Sequence, residues 1–386
     1  MTVDSALRRP LIVVEPEHEG HRMVYFAAVA EHLLARGVPV ALATSRAGLD
    51  SSDLALRLPG ADARIGHIDI GPPATGAGAV GRTVRVVAEL QARHPDREIL
   101  VTEGDKFLPA ALASRAALDW HRLRVVVMRA PRVTRGAARR PRLLAQDTVK
   151  AASMALARRR GADVRVLEQA TPVRRDYHCG SWRSVPDPVD VAPGAPLPSE
   201  LAGPAGLDAA TPSTDPDGGA TTHWIGVLGH VSPRKNLDLV LEAARLAGPA
   251  HGVLVAGRVE PGEWERCADA LDRFVAAGNR LLVLDRLLSD AELDACVARV
   301  DALVLAHSSE GPSGMLGKAV ALGTPVVTAG AQSLRAEIAR LDGGSWAQLR
   351  APDIAAAVLA VTGADRVVRP VALAGSADFA HALLER

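Results

Sequence analysis

The chain has 386 residues, enough for two or three domains at about 150 residues each. Its 45 basic and 44 acidic residues leave a net charge of +1, which excludes a globally basic nucleic-acid binder. Hydrophobic residues make up 48% but aromatics only 3%, so the cores must be built from Ala, Val and Leu. Only four of the basic residues are lysines (Lys106, Lys150, Lys235 and Lys318), and the arginine skew reads as coding bias. Cys179, Cys267 and Cys296 have no C-x-x-C spacing and give neither a disulfide framework nor a zinc knuckle. The first apolar run, LIVV, is far short of the ~20 residues a spanning helix needs. A reduced, cytoplasmic location is expected.

In chain order, PLIVVEP (10–16) reads as a buried strand, residues 21–37 as a helix closed by Gly37, and PVALAT (39–44) as the next strand. REILVTE (97–103), LRVVVMRA (123–130) and VRVLEQA (164–170) continue the series. From about Pro186 to Thr222 the chain is crowded with Pro, Gly, Ser, Thr and Asp, which is linker composition. The pattern then restarts with strands at 224–230, 252–258, 280–286, 302–308 and 324–330, and helices at 236–247 and 262–277. Continuous apolar strands separated by helices mean parallel sheets buried on both faces. The expected fold is α/β, with two doubly wound Rossmann-like domains facing a cleft. Ligands in such sheets sit outside the carboxyl ends of the strands, so the loops that follow strands hold the candidate residues.

After the first strand, EPEHEGHR (15–22) sets Gly20 at a turn into a helix start that suits an anion. His18 and His21 lie beside Glu15 and Glu19, but their spacing matches no metal-ligand pattern, and a polar loop lining a cleft is favoured. TEGDKF (102–107) offers Glu103, Asp105 and Lys106, which could bind sugar-like hydroxyls or cap the following helix. Between Arg115 and Arg160 there are thirteen basic residues against Asp119 and Asp147. That stretch reads either as a solvated arginine face or as a seat for an anionic acceptor or membrane surface, with peripheral membrane contact through 122–160. Its single aromatic, Trp120, argues against single-stranded nucleic acid. In the second half, GVLGHVSPRKNLDLVLEAARLAG (226–248) places Gly229 in a turn and Arg234 with Lys235 just before a helix, a good seat for a diphosphate. SSEGPSGMLGKAVALGTPVV (308–327) places Glu310 before a Gly-rich turn and another helix start.

On these residues the sequence resembles the group 1 retaining glycosyltransferases, which have the GT-B fold. The resemblance rests on EGHR, VPDPVDVAP (185–193), SPRKNLDLVLEA, EGPSGMLGKAVALGTPVV and a tail, SADFAHALLE (376–385), similar to the family's final helix that crosses back to the N-terminal domain. It implies an acceptor domain over 1–192 joined by 372–386, a linker over 193–221, and a nucleotide-sugar donor domain over 222–371. Arg234 and Lys235 would neutralise the donor diphosphate, Glu310 would hold sugar hydroxyls, and Gly311, Ser313, Gly314, Met315 and Leu316 would contact sugar and phosphate. Gly257 and Arg258 lie where the nucleobase packs, and His18, His21, Glu103, Asp105 and Arg129 are the acceptor-side candidates. The donor is a co-substrate, no cofactor or metal is required, and retention is implied by front-face attack. In the family a second glutamate follows the first after seven residues and accepts from the ribose; here that position is Lys318, which can only donate. Lys318 is open between pairing Glu310, reaching a phosphate and lying on the helix surface. A cleft histidine common in the family has Arg129 near its position and is not carried over. The competing readings are a non-catalytic binding protein, an epimerase or a phosphorylase on the same architecture.

Overall fold

The computed structural model describes residues 10–16, 22–58, 64–72, 78–131, 141–174, 176–202, 207, 222–310, 313–363 and 368–385. The chain divides into two compact units, Met1–Pro188 with Ala374–Arg386, and Val189–Leu373. The first unit carries β1 (Leu11–Val14), α1 (Arg22–Ala35), β2 (Val40–Thr44), α2 (Arg46–Leu49), α3 (Ser52–Arg57), β3 (Ile65–Asp69) and α4 (Gly78–Arg93). It continues through β4 (Glu98–Val101), α5 (Gly104–Ala113), β5 (Leu123–Val127), α6 (Pro141–Arg159), β6 (Asp163–Glu168), β7 (His178–Cys179) and β8 (Trp182–Pro186). The sheet order is β3-β2-β1-β4-β5-β6-β8-β7, with β7 and β8 forming an antiparallel hairpin and all other pairs parallel. β1 is central, pairing Leu11 with both Val40 and Glu98, and all four of its residues are buried. That position explains its unbroken apolar run.

A C-terminal helix, Ser376–Leu384, closes one face of this sheet, where Phe379 meets Tyr25 of α1 with ring centroids 5.3 Å apart. Its last carbonyls lack helical partners, and two buried arginines supply them. Arg124 (1% exposed) donates to Leu383 O at 2.9 Å and to Glu98 at 2.7 Å. Arg165 donates to Ala382 O at 3.1 Å and to Asp163 at 2.7 Å. Of the basic stretch, Arg124 is buried and Arg122 and Lys150 are half-buried, while Arg115, Arg129, Arg158, Arg159 and Arg160 are exposed. Arg122 donates to the carbonyls of Gln91, His94 and Arg97, Lys150 pairs with Asp105, and Arg158 and Arg160 lie over Trp182 and Trp120. The reading of 122–160 as one solvated cationic face does not hold at Arg122 and Arg124, whose guanidinium forks are used on backbone carbonyls and carboxylates. Residues 132–140 of that stretch lie outside the described residues.

The second unit carries β9 (His223–Leu228), α7 (Leu237–Ala247), β10 (His251–Ala256), α8 (Glu263–Ala276), β11 (Leu281–Leu284) and α9 (Asp290–Arg299). It continues through β12 (Ala302–His307), α10 (Gly314–Leu322), β13 (Val326–Gly330), α11 (Gln332–Leu341), β14 (Gly344–Ala347) and α12 (Ala351–Thr362). Its sheet is fully parallel in the order β11-β10-β9-β12-β13-β14. α7 buries Leu237, Val240, Leu241 and Ala244, the i, i+3, i+4, i+7 stripe of an amphipathic helix. Each large apolar side chain buried there contributes about 1.5–3 kcal/mol. In both sheets the order reverses direction beside the first strand, between β1 and β4 and between β9 and β12. Such a reversal opens a crevice at the strands' carboxyl ends.

Several elements escape the pattern of apolar runs. β3 and β14 are half-exposed edge strands, and α4 and the β7–β8 hairpin follow segments rich in turn residues. Among the described residues no helix is long and apolar enough to cross a membrane.

Candidate functional site

In the second unit the crevice is walled by the loop after β9. Gly229 (φ +80°) turns the chain, Pro233–Lys235 form a short 3₁₀ turn, and Asn236 (φ +48°) starts α7 from the left-handed region that asparagine tolerates. The Asn236 amide donates to Arg234 O at 2.9 Å and Ala306 O at 2.8 Å, stitching this loop to the end of β12. Gly257 (φ +124°) follows β10, and a Cβ there would lie 2.4 Å from Gly229 O. Only glycine permits that approach. Arg258 beside it is exposed.

Two cations result. Lys235 is 7% exposed and donates to Leu228 O at 2.5 Å. Burial, reinforced by the neighbouring Arg234 charge, pushes its pKa down to about 7. Between that value and the ordinary lysine range the unfolded chain binds the extra proton, so this group makes stability rise with pH across the window. Arg234 is exposed by surface area, yet enough protein crowds its guanidinium to lower its pKa; an arginine stays charged all the same. Neither forms an ion pair with a carboxylate among the described residues. Arg234 Nη1 lies 3.4 Å from His307 Nδ1, and His307 is 1% exposed with its Nε2 unpartnered. Burial, then the Arg234 and Lys235 charges, hold His307 down at about 3, so the imidazole is neutral.

The opposite wall follows β12. Ser313 precedes α10 without a side-chain cap bond, leaving the first amides of α10, from Gly314 and Met315, without a cap from that side chain. A Cβ placed on Gly229 would be 3.6 Å from Met315 Sδ and 3.7 Å from Lys235 Nζ, so α10 and the cationic loop meet across this glycine. Leu316 is fully buried and packs α10 onto the sheet. Glu310 is exposed, and its two oxygens accept from the amides of Gln332 and Ser333, both at 2.8 Å, at the start of α11. A carboxylate there is favoured by the helix dipole.

Lys318 has a different placement from those weighed on sequence. Its ammonium donates to Asp294 of α9 at 2.6 Å and to Asp190 O at 2.9 Å, while Asp294 also accepts from Ala192 N at 2.9 Å. Val189 lies against the same helix, where a Cβ on Gly317 would come within 2.8 Å of it. Lys318 thus anchors residues 189–192 to α9 and α10. Asp294 is 1% exposed, and burial raises its pKa against the pull of Lys318.

In the first unit the crevice contains Glu15 (1% exposed), which accepts from the Thr102 hydroxyl. Glu103 forms an ion pair with Lys106 at 2.7 Å, and both line a cavity of about 60 Å³ with Pro16, Thr83 and Phe107. Asp105 accepts from Met128 N at 2.5 Å and pairs with Lys150, so it fastens α5 to α6 and to the end of β5. Arg129 is exposed. Gly20, His18, His21 and Gly311 lie outside the described residues.

The second crevice thus gathers Gly229, Arg234, Lys235, Gly257 and the start of α10. Sequence reading did not single out His307 and Asn236. Asparagine before a helix start was the available signal for the latter; His307 ends an apolar strand and gave none.

Residues 222–363 match the family model described as "Glycosyl transferases group 1". That span covers this crevice and its whole sheet. No curated protein matches the chain. Among solved structures, sucrose-phosphate synthase from Thermosynechococcus elongatus is 16% identical with a TM-score of 0.62, covering 98% of this chain and 95% of that one. Anabaena Alr3699/HepE in complex with UDP and glucose is 13% identical with a TM-score of 0.57, covering 98% and 96%. An α,α-trehalose-phosphate synthase (UDP-forming) from Burkholderia vietnamiensis is 11% identical with a TM-score of 0.54, covering 98% and 95%. These likenesses establish the fold, which is GT-B.

Proposed function

We propose that the chain is a glycosyltransferase that moves a sugar from a nucleotide-diphosphate donor to an acceptor hydroxyl with retention of anomeric configuration. The observation that carries this reading is the pair Arg234 and Lys235 at the switch point of the second unit, beside the start of α10, neither of them in an ion pair with a carboxylate among the described residues. Cations fixed there offset the charge that develops on a departing diphosphate, and they do so before the reaction begins. A divalent metal is not needed for that role, and we assign none. The amides from Ser313 to Leu316 would receive sugar and phosphate oxygens, Gly257 and Arg258 would border the base, and the Glu310 carboxylate would accept from sugar hydroxyls. Retention follows if the acceptor attacks from the side the diphosphate leaves, with the leaving phosphate taking the acceptor proton.

The acceptor would bind the first unit, where Glu103 and Lys106 line the small cavity and Arg129 is available to an anionic group. The uridine nucleotides of the Anabaena complexes make UDP-glucose the first donor to test and UDP the first product to test. A thermal-shift panel of nucleoside diphosphates and sugar nucleotides tests the donor reading. A ligand at a hundred times its Kd should stabilise by about 2.7 kcal/mol. No shift with any nucleotide, in a folded sample, would refute it. Proton NMR of the first-formed product then tests retention, since the anomeric coupling distinguishes the two outcomes.

A further inference from the structure

Lys235 is placed unusually for a residue meant to hold charge. It is 7% exposed, and among the described residues its ammonium has one partner, the Leu228 carbonyl at 2.5 Å. One carbonyl leaves two of three N–H donors unsatisfied. The charged and titratable groups around it offer no relief. Arg234 is adjacent in the chain, and His307 faces it from the end of β12 with Nδ1 3.4 Å from Arg234. From α10 comes the Met315 thioether, while the cation of that helix, Lys318, is taken up by Asp294. Glu260 acts on Arg234 and lies 3.4 Å from His230, without pairing Lys235. Three basic side chains thus converge on one crevice, two of them nine-tenths buried or more, with no carboxylate among them.

A buried ammonium without a counter-ion is disfavoured against its neutral amine. An anion entering the crevice reverses that preference. Resting on the donor reading above, we propose that donor binding is coupled to protonation of Lys235: burial beside a single carbonyl favours the uncharged amine, and the arriving diphosphate brings in a proton from solvent. The cation then exists where and when the leaving group needs it, and the empty protein does not carry a buried unpaired charge.

The sign follows from linkage. The empty site titrates at about 7, and a bound diphosphate raises that value by roughly one to three pH units. Between the two values each binding event takes up as much as one proton, so affinity falls by up to about tenfold per pH unit as pH rises. Below the lower value the amine is already charged and affinity is flat. His307 does not supply this effect, because it stays neutral down to about 3.

The chain has four lysines, so protein labelled at lysine ¹³Cε gives four signals, and Lys235→Arg identifies the one of interest. The probe is UDP-glucose, with ADP-glucose and GDP-mannose as alternates, since their esterified phosphates do not titrate between pH 6.5 and 8.5. The free-protein signal should have its midpoint near 7 and should move upward when the probe saturates the site. Calorimetry at pH 8 in two buffers of different ionisation heat should show uptake approaching one proton. In Lys235→Met that uptake should vanish and affinity should become flat with pH. If Lys235 titrates with the other three lysines in the free protein, or if a probe binds without proton uptake, the coupling is wrong while the transferase reading stands. If none of the three probes binds, the donor reading fails and the coupling with it.

Discussion

The two sheets share a strand order around their switch points, yet different side chains are buried where their central strands end. Between β1 and β4 the first unit buries Glu15 against the Thr102 hydroxyl, a group that can only accept when ionised. Between β9 and β12 the second unit buries Lys235 and His307 and adds Arg234 at the rim. Topology decides where each crevice opens; the residues that end the strands decide which ligand it suits. The buried Glu15 carboxylate suits a hydroxyl, whereas Arg234 and Lys235 beside a helix start suit a diphosphate.

The largest effect expected is at Glu310. Glu310→Ala should abolish turnover and, by removing the carboxylate from the start of α11, cost about 1 kcal/mol of stability. Full activity in that variant, measured by release of the nucleoside diphosphate, would remove Glu310 from the site. Next, the double variant Arg234→Ala with Lys235→Met should weaken donor binding by about 10³-fold, the scale of two charge-assisted contacts. Equal affinity in wild type and variant would mean that the cationic crevice is not where the donor sits. Lys318→Ala should destabilise the second unit by about 3 kcal/mol, because it strands the buried Asp294 carboxylate. Denaturant melts that show no loss would make the Lys318–Asp294 pair incidental. The smallest effect sharpens the contrast: Glu15→Gln should leave nucleotide affinity within about twofold of wild type, as expected if the donor is held by the second unit alone. A larger change in calorimetric Kd would implicate the crevice of the first unit in donor binding.

Legibility from sequence followed burial. LIVV, VALAT and HGVLVA read as strands because both faces are covered and no polar residue interrupts them. IGHID and GSWA sit at sheet edges, half-exposed, and their mixed composition resembles a loop. Arg234 and Lys235 were visible because a strand, a turn and a helix start are local features. His307 reaches them only through the neighbouring strand, 73 residues from Arg234. The partner of Lys318 was hidden for the same reason, since Asp294 lies 24 residues away on another helix. The arginine skew also looks different with partners assigned. Arg82, Arg122, Arg124 and Arg165 each donate to more than one backbone carbonyl, Arg124 and Arg165 at the end of the C-terminal helix. A lysine has the donors for this but not the planar fork, so coding bias alone does not account for those positions.

Hydrogen–deuterium exchange with a saturating sugar nucleotide tests the contrast between the crevices most directly. The account predicts slowed exchange over 229–236 and 313–318 in the second unit, with 98–107 in the first unit unchanged. Protection confined to the first unit, with 229–236 exchanging as in the free protein, would contradict it.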